Sequence, residues 1–177
     1  MSLNHVSLTP GGKLPVIQLP NLTVGEFRKT TLVVVYRGIF CPFCRMTLTE
    51  LKAKHEALQA NGIDVIAISA DSADATAKFV AELGGLPFPV GHGLTVPQMR
   101  QLGTYVSSPT SYIDQPQDFS EPAWFLVRHD GTIHYLTYGS APFSGRPVPD
   151  HLIAGWNFVK ERSVAVPAFA TYTWGSQ

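Results

Sequence analysis

The chain has 177 residues, enough for one domain with a proper core, and 45% of them are hydrophobic against 15% charged, a globular balance rather than a disordered one. Lysine plus arginine equals aspartate plus glutamate, at 13 each, so no basic excess points to nucleic acid and no charge imbalance points to a strongly charged partner. The apolar runs are far too short to span a bilayer, so no membrane is expected, and residues 1–10 lack the basic and apolar segments of a secretory signal, which places the protein in the cytoplasm.

Residues 1–30 are rich in proline, glycine and threonine and read as loops with a short strand near 14–19. The run TLVVVY at 31–36 is β-branched and apolar, the signature of a buried strand. A helix is expected from Pro42 to about Ala60, because proline suits a first turn and Asn61-Gly62 supplies a stop. IDVIAIS at 63–69 reads as the second buried strand. Ser69, Asp71 or Ser72 then caps an alanine-rich helix ending near Leu83-Gly84-Gly85. Residues 88–90 form a short extended piece, and Thr95 starts a helix through Leu102. Residues 104–121 show no period and read as a long loop, a mild functional hint. Segments 123–128 and 132–138 form a hairpin around Asp130-Gly131, and 149–162 is the last helix, with Leu152, Trp156 and Val159 on one stripe. The tail carries Phe169, Tyr172 and Trp174 and is expected to pack on the domain or on a second subunit. Strand–helix alternation implies parallel strands with right-handed crossovers, and the hairpin adds an antiparallel edge. We read one domain over 1–177, with 1–12 and 163–177 as terminal extensions.

The chemistry concentrates in Cys41-Pro42-Phe43-Cys44, the chain's only cysteines. A pair this close closes almost no loop, so a disulfide there adds little stability and reads as redox chemistry. A thiolate is the nucleophile of thiol exchange, and the free N–H groups and positive dipole end of a first helical turn stabilise it. Cys41 falls at the N-cap and Cys44 three residues on, roughly 5–6 Å away between Cβ atoms. Cys44, Leu48, Leu51, His55 and Leu58 form the core-facing stripe, which puts Cys44 half inside and Cys41 at an exposed lip. Arg37 and Arg45 flank the pair. Zinc is the competing use of two cysteines, with His129 and His134 as the other ligands, but those flank a distant turn and no metal is expected. His5, His55, His92 and His151 are scattered. No phosphate-binding glycine pattern or G-x-S-x-G is present, and no cofactor is expected.

The stretch from Val33 to Arg45, VVVYRGIFCPFCR, resembles the peroxiredoxin-like (alkyl hydroperoxide reductase/thiol-specific antioxidant, AhpC/TSA) branch of the thioredoxin superfamily, and residues 63–71 and 122–134 resemble its second strand and its later strand–turn–strand. The resemblance implies a thioredoxin-like α/β fold, a central mixed sheet flanked by helices. It also implies a thiol-dependent oxidoreductase that takes a disulfide or a peroxide and is reduced by a cellular thiol of thioredoxin or glutathione type, with a homodimer among the expected forms. Two patterns compete at the motif. In peroxiredoxins the attacking cysteine follows a proline by seven residues and a threonine by three. Aligned on Cys44, those positions hold Arg37 and Cys41, and the family's arginine falls near Pro122. In thioredoxins a C-x-x-C motif faces a cis-proline, and Pro122 fits that role with a cis Glu121–Pro122 bond. The dithiol geometry assigns attack to Cys41 and resolution to Cys44, whereas transfer from peroxiredoxins assigns attack to Cys44. Pro122, Arg37, Phe43 and Trp124 are the candidate substrate-positioning residues, with a core tryptophan in a central strand as the leading reading of Trp124. The reading from another class is a non-catalytic redox sensor whose disulfide switches a partner surface.

Overall fold

The computed structural model describes residues 8–113 and 115–175, so His5 and most of the expected N-terminal extension lie outside the described residues. The central sheet has five strands: β3 (Thr30–Val35), β4 (Ile63–Ile68), β5 (Val90–Gly91), β8 (Ala123–Val127) and β9 (Ile133–Tyr138). They lie in the order β5-β4-β3-β8-β9. β3, β4 and β5 run parallel, and β8 and β9 run antiparallel to their neighbours. This is the mixed sheet expected from strand–helix alternation followed by a hairpin.

The two-residue period of the strands divides the core. Leu32, Val34, Tyr36, Trp124 and Leu126 face one layer, with Leu48 and Leu51 of α1 (Pro42–Ala60), Phe79 of α2 (Ala73–Glu82) and Trp156 of α4 (Pro149–Ala165). Val33, Val35, Phe125 and Val127 face the other. That second layer is completed by Met99 of α3 (Val96–Gln101) and by a small hairpin of β1 (Ile17–Gln18) and β2 (Thr23–Val24). Both cysteines belong to the first layer.

Local signals explain the element ends. Pro42 opens α1, the side chain of Ser72 accepts from the Ala75 N–H at 3.2 Å to start α2, and Gln98 accepts from the Thr95 N–H at 2.9 Å to start α3. The long loop expected over 104–121 is more ordered than its sequence implies. β6 (Val106–Ser107) and β7 (Phe119–Ser120) pair antiparallel within it, too short to leave a periodic trace. The last helix runs past residue 162 to Ala165 and is followed by a 3₁₀ turn, Pro167–Ala170. The tail then folds back on its own chain. Arg128 donates to the carbonyls of Thr171 and Tyr172 at 3.3 and 3.1 Å, and the Trp174 ring meets that of His134 at 6.1 Å. Among the described residues no helix is long and apolar enough to cross a membrane.

Candidate active site

β3 ends at Val35, and the chain crosses from strand to helix in six residues. Gly38 makes that crossing with φ of 145°, a conformation L-residues avoid. A Cβ there would sit 2.6 Å from Oδ1 of Asp71 and 2.9 Å from the Phe40 ring. The other oxygen of Asp71 accepts the Ile39 N–H at 2.9 Å. Asp71 is buried, and burial raises its pKa. This carboxyl braces the loop that delivers Cys41 to the N-cap of α1.

Cys44 lies inside, as the stripe along α1 requires. Cys41 does not lie at an exposed lip: it is only 1% exposed, against 0% for Cys44. Helical periodicity sees one face of α1, whereas the cover over Cys41 comes from elsewhere in the chain. Arg37 is one part of it, with Nη1 3.9 Å from the Cys41 sulfur. Arg146 is the other, on the segment between β9 and α4. Its Nη2 lies 3.2 Å from the Cys44 sulfur and 3.8 Å from that of Cys41, its Nη1 donates to Thr47 Oγ1 at 2.8 Å, and its Nε donates to the Pro142 carbonyl at 2.7 Å. The loop that returns Arg146 to the cysteines closes tightly. Gly139 donates to the Pro122 carbonyl at 2.7 Å, and a side chain at Gly139 or Gly145 would collide with the backbone opposite.

The backbone N–H of Arg37 also points at the Cys44 sulfur, at 3.3 Å. The two thiols behave as one acid. The pKa of Cys41 is pushed down to about 5, first because the Cys44 thiol donates to its sulfur, with the guanidinium groups of Arg37 and Arg146 adding to the effect. Cys44 is raised, chiefly by burial and then by the thiolate beside it. The first proton is thus easily lost from the pair, and the negative charge is favoured on Cys41. Both sulfurs are free and lie in contact, a geometry that can pass between dithiol and disulfide.

Arg37 is itself almost enclosed. Its guanidinium packs over Phe40 and Phe119, 5.2 and 4.8 Å from the ring centroids. Its Nε sits 3.1 Å from Glu121 Oε2, too oblique for a hydrogen bond but a close ion pair, with both side chains buried. Glu121 Oε1 accepts from the Ser107 hydroxyl at 2.7 Å.

The remaining expected site residues separate. Phe43 is 38% exposed and meets the largely exposed Phe143 edge-on at 6.2 Å, with the exposed Met46 one turn along. Trp124 is buried in the layer that holds both cysteines, its core reading. Pro122 leads into β8 as expected, but its bond to Glu121 is trans, as are all peptide bonds among the described residues. β8 pairs with β3 without a break as far as Ala123, and continuing that count sets Glu121 opposite Arg37. The cis-proline role expected of Pro122 falls with this correction. His134 lies at the opposite end of the hairpin, against Arg128 and Trp156, and no group of three or more metal-binding side chains gathers among the described residues. Arg45, read as flanking the thiols, pairs instead with Glu82 at 2.5 Å. Arg146, Ser107 and Thr47 have no part in the sequence reading, and Glu121 enters it only as the residue before Pro122. The one local trace of Arg146 is a lone cation in the glycine- and proline-rich stretch SGRP.

A twin-cysteine turn roofed by arginine, on a mixed five-stranded sheet, defines a thiol redox protein of thioredoxin-like fold. The sequence profile of the AhpC/TSA family matches residues 10–136, and the chain belongs to that family. It is thus a thiol-dependent oxidoreductase, and the enzyme reading is favoured over the sensor. No curated protein matches the chain. Among solved structures it is similar to a cysteine-to-serine mutant of the peroxiredoxin 6 of Arenicola marina, with a TM-score of 0.74 and 14% identity over 89% of this chain and 76% of that one. It is also similar to reduced Prx3 from Vibrio vulnificus (TM-score 0.71, 12% identity, 85% and 99% covered) and to the peroxidoxin BcpB of Mycobacterium tuberculosis (TM-score 0.68, 14% identity, 86% and 98% covered). These likenesses establish the fold.

Proposed function

We propose that the protein reduces hydroperoxides, with Cys41 as the attacking thiolate and Cys44 as the resolving thiol. The observation that carries this reading is the burial of both sulfurs beneath Arg37 and Arg146. A peroxide is small enough to enter such a site, whereas a protein disulfide must lie flat against its attacker. The Cys41 thiolate attacks one peroxide oxygen, the O–O bond breaks, and the leaving alkoxide takes the proton of the Cys44 thiol. The Cys44 thiolate then attacks the Cys41 sulfenic acid, forming the disulfide and releasing hydroxide. The guanidinium groups of Arg37 and Arg146, 3.9 and 3.8 Å from the Cys41 sulfur, stabilise the charge that develops on oxygen. Two electrons and two protons from a cellular thiol of thioredoxin or glutathione type restore the dithiol. Phe43 serves as the apolar rim, and Pro122 acts by fixing the backbone that joins Glu121 to β8. The cytoplasm as compartment and a homodimer as working form complete the proposal; the outer edge of β9 beyond Ile133 carries no strand among the described residues.

A second order of attack has its own support. Cys44 receives the Arg37 N–H at 3.3 Å and Arg146 at 3.2 Å, closer than any guanidinium contact to Cys41. Single-cysteine variants separate the two. With one equivalent of peroxide, Cys44→Ser is expected to trap a dimedone-reactive sulfenic acid on Cys41, while Cys41→Ser stays unlabelled. Labelling of Cys44 in Cys41→Ser, with Cys44→Ser inert, reverses the assignment. Faster turnover of a model protein disulfide than of peroxide in a coupled NADPH assay overturns the choice of substrate.

A further inference from the structure

We propose that Glu121 is a positioning residue for the redox reaction: it holds Arg37 with its guanidinium facing Cys41, and Ser107 holds Glu121 in turn. The inference rests on Cys41 being the reactive thiol.

Three observations converge. Arg37 and Glu121 are 7% and 4% exposed, so each charge has left water and each needs the other. Their Nε and Oε2 atoms lie 3.1 Å apart, and continuing the β3–β8 register past the strand ends sets the two residues opposite one another. The two phenyl rings, centred 5.2 and 4.8 Å from the guanidinium carbon, attract the cation without selecting which of its nitrogens meets the sulfur. A carboxylate against Nε makes that selection and leaves Nη1 to the Cys41 sulfur, 3.9 Å away.

The support for Glu121 comes from residues 104–121. Its backbone N–H donates to the Tyr105 carbonyl at 2.8 Å, and its free carboxylate oxygen takes the Ser107 hydroxyl at 2.7 Å. Phe119 sits on the same short strand pair. The segment without periodicity is thus a bracket for one arginine. Without the carboxylate, a lone buried guanidinium is costly, and the side chain turns towards water. Cys41 then loses a cation, and its thiolate becomes harder to form.

The test isolates Cys41 in the Cys44→Ser background and follows thiolate absorbance against pH, with the pH dependence of iodoacetamide alkylation beside it. Adding Glu121→Gln is expected to raise the Cys41 midpoint by about one unit, near the lower bound for losing a neighbouring opposite charge. That is a tenfold loss of thiolate at pH values below the midpoint. Arg37→Met should raise it at least as far, and adding Glu121→Gln to Arg37→Met should move it no further. Ser107→Ala, which spares the ion pair, should give a smaller rise that also vanishes with Arg37→Met; it carries the test should Glu121→Gln fail to fold. A midpoint that stays or falls in Glu121→Gln, or a shift that persists in the Arg37→Met background, overturns the proposal. The titration needs no peroxide, so an inert Cys44→Ser enzyme with these shifts intact would refute the order of attack and not the role of Glu121.

Discussion

Each end of the β8–β9 hairpin sets an arginine against a titrating side chain, and the two outcomes are opposite. At the end where β3 gives way to α1, Arg37 and Arg146 lie against thiols, which ionise to anions; the hydrogen bond from Cys44 first, and the two guanidinium groups in addition, drive Cys41 down to about 5. At the far end Arg128 donates to Nδ1 of His134 at 2.9 Å, beneath the aromatic tail. Histidine ionises to a cation, so burial first and the guanidinium second hold its pKa down to about 4. The same group adds to the formation of an ion in one place and adds to its suppression in the other; the sign of the partner's charged form decides which. The far end also spends its arginine on two tail carbonyls, as a structural clasp would.

The largest effect that sharpens this contrast is at Arg146. Its three nitrogens reach a carbonyl, a hydroxyl and the sulfurs in one planar fork. Arg146→Met is expected to cut the peroxide rate constant by roughly 10²-fold, in line with loss of one preorganised donor. It should also move the pH–rate profile upwards, because a cation leaves the thiol pair. Arg146→Lys should recover little, since a point charge cannot make all three contacts. Stopped-flow kinetics across pH 5–9 checks both variants, and a profile that keeps its midpoint in Arg146→Met breaks the contrast.

A smaller effect is expected at Gly38, which separates geometry from charge. Gly38→Ala must clear Asp71 and Phe40 and hold φ near 145°, a cost of about 2–3 kcal/mol in stability. The braced loop carries both Arg37 and Cys41, so activity should fall with stability. Urea unfolding beside the peroxide assay tests this. Full stability with full activity would show that the loop does not set the site.

The parts legible in the sequence were those with local causes. Strand, cysteine pair and helix could be read because β-branched residues, Pro42 and the stripe from Cys44 to Leu58 each act within a turn or two. The Asp130-Gly131 turn and the Ser72 cap are equally local. What escaped depends on closure across the fold. Arg146 meets Cys44 from 102 residues away, through a loop with no period. Glu121 meets Arg37 only because β8 lies beside β3, a register that neither strand states alone. Cys41 read as exposed because the residues that cover it are these same distant ones. Pro122 shows the converse hazard: its place before a strand matched a known role, but the register that Glu121 keeps opposite Arg37 runs through a trans bond.

The smallest effect tests the far end. His134 is buried and its folded pKa of about 4 lies below the ordinary 6.5, so the unfolded chain binds its proton first as pH falls. Stability from this residue is complete above about pH 6.5, declines between there and about pH 4, and changes no further once both states are protonated. Carboxylates contribute their own slopes, so the measurement is a difference: urea midpoints at pH 7 and pH 4.5 for the wild type and for His134→Gln, whose amide oxygen still accepts from Arg128. The wild type should lose more stability than the variant on acidification. Peroxide turnover at pH 7 should stay within about twofold in the variant, because Arg128 and His134 lie at the end of the hairpin away from the thiols. Equal acid losses in the two proteins would remove His134 as the titrating group. A large loss of turnover would mean instead that the two ends of the hairpin are coupled, and that the tail clasp supports the cysteine site.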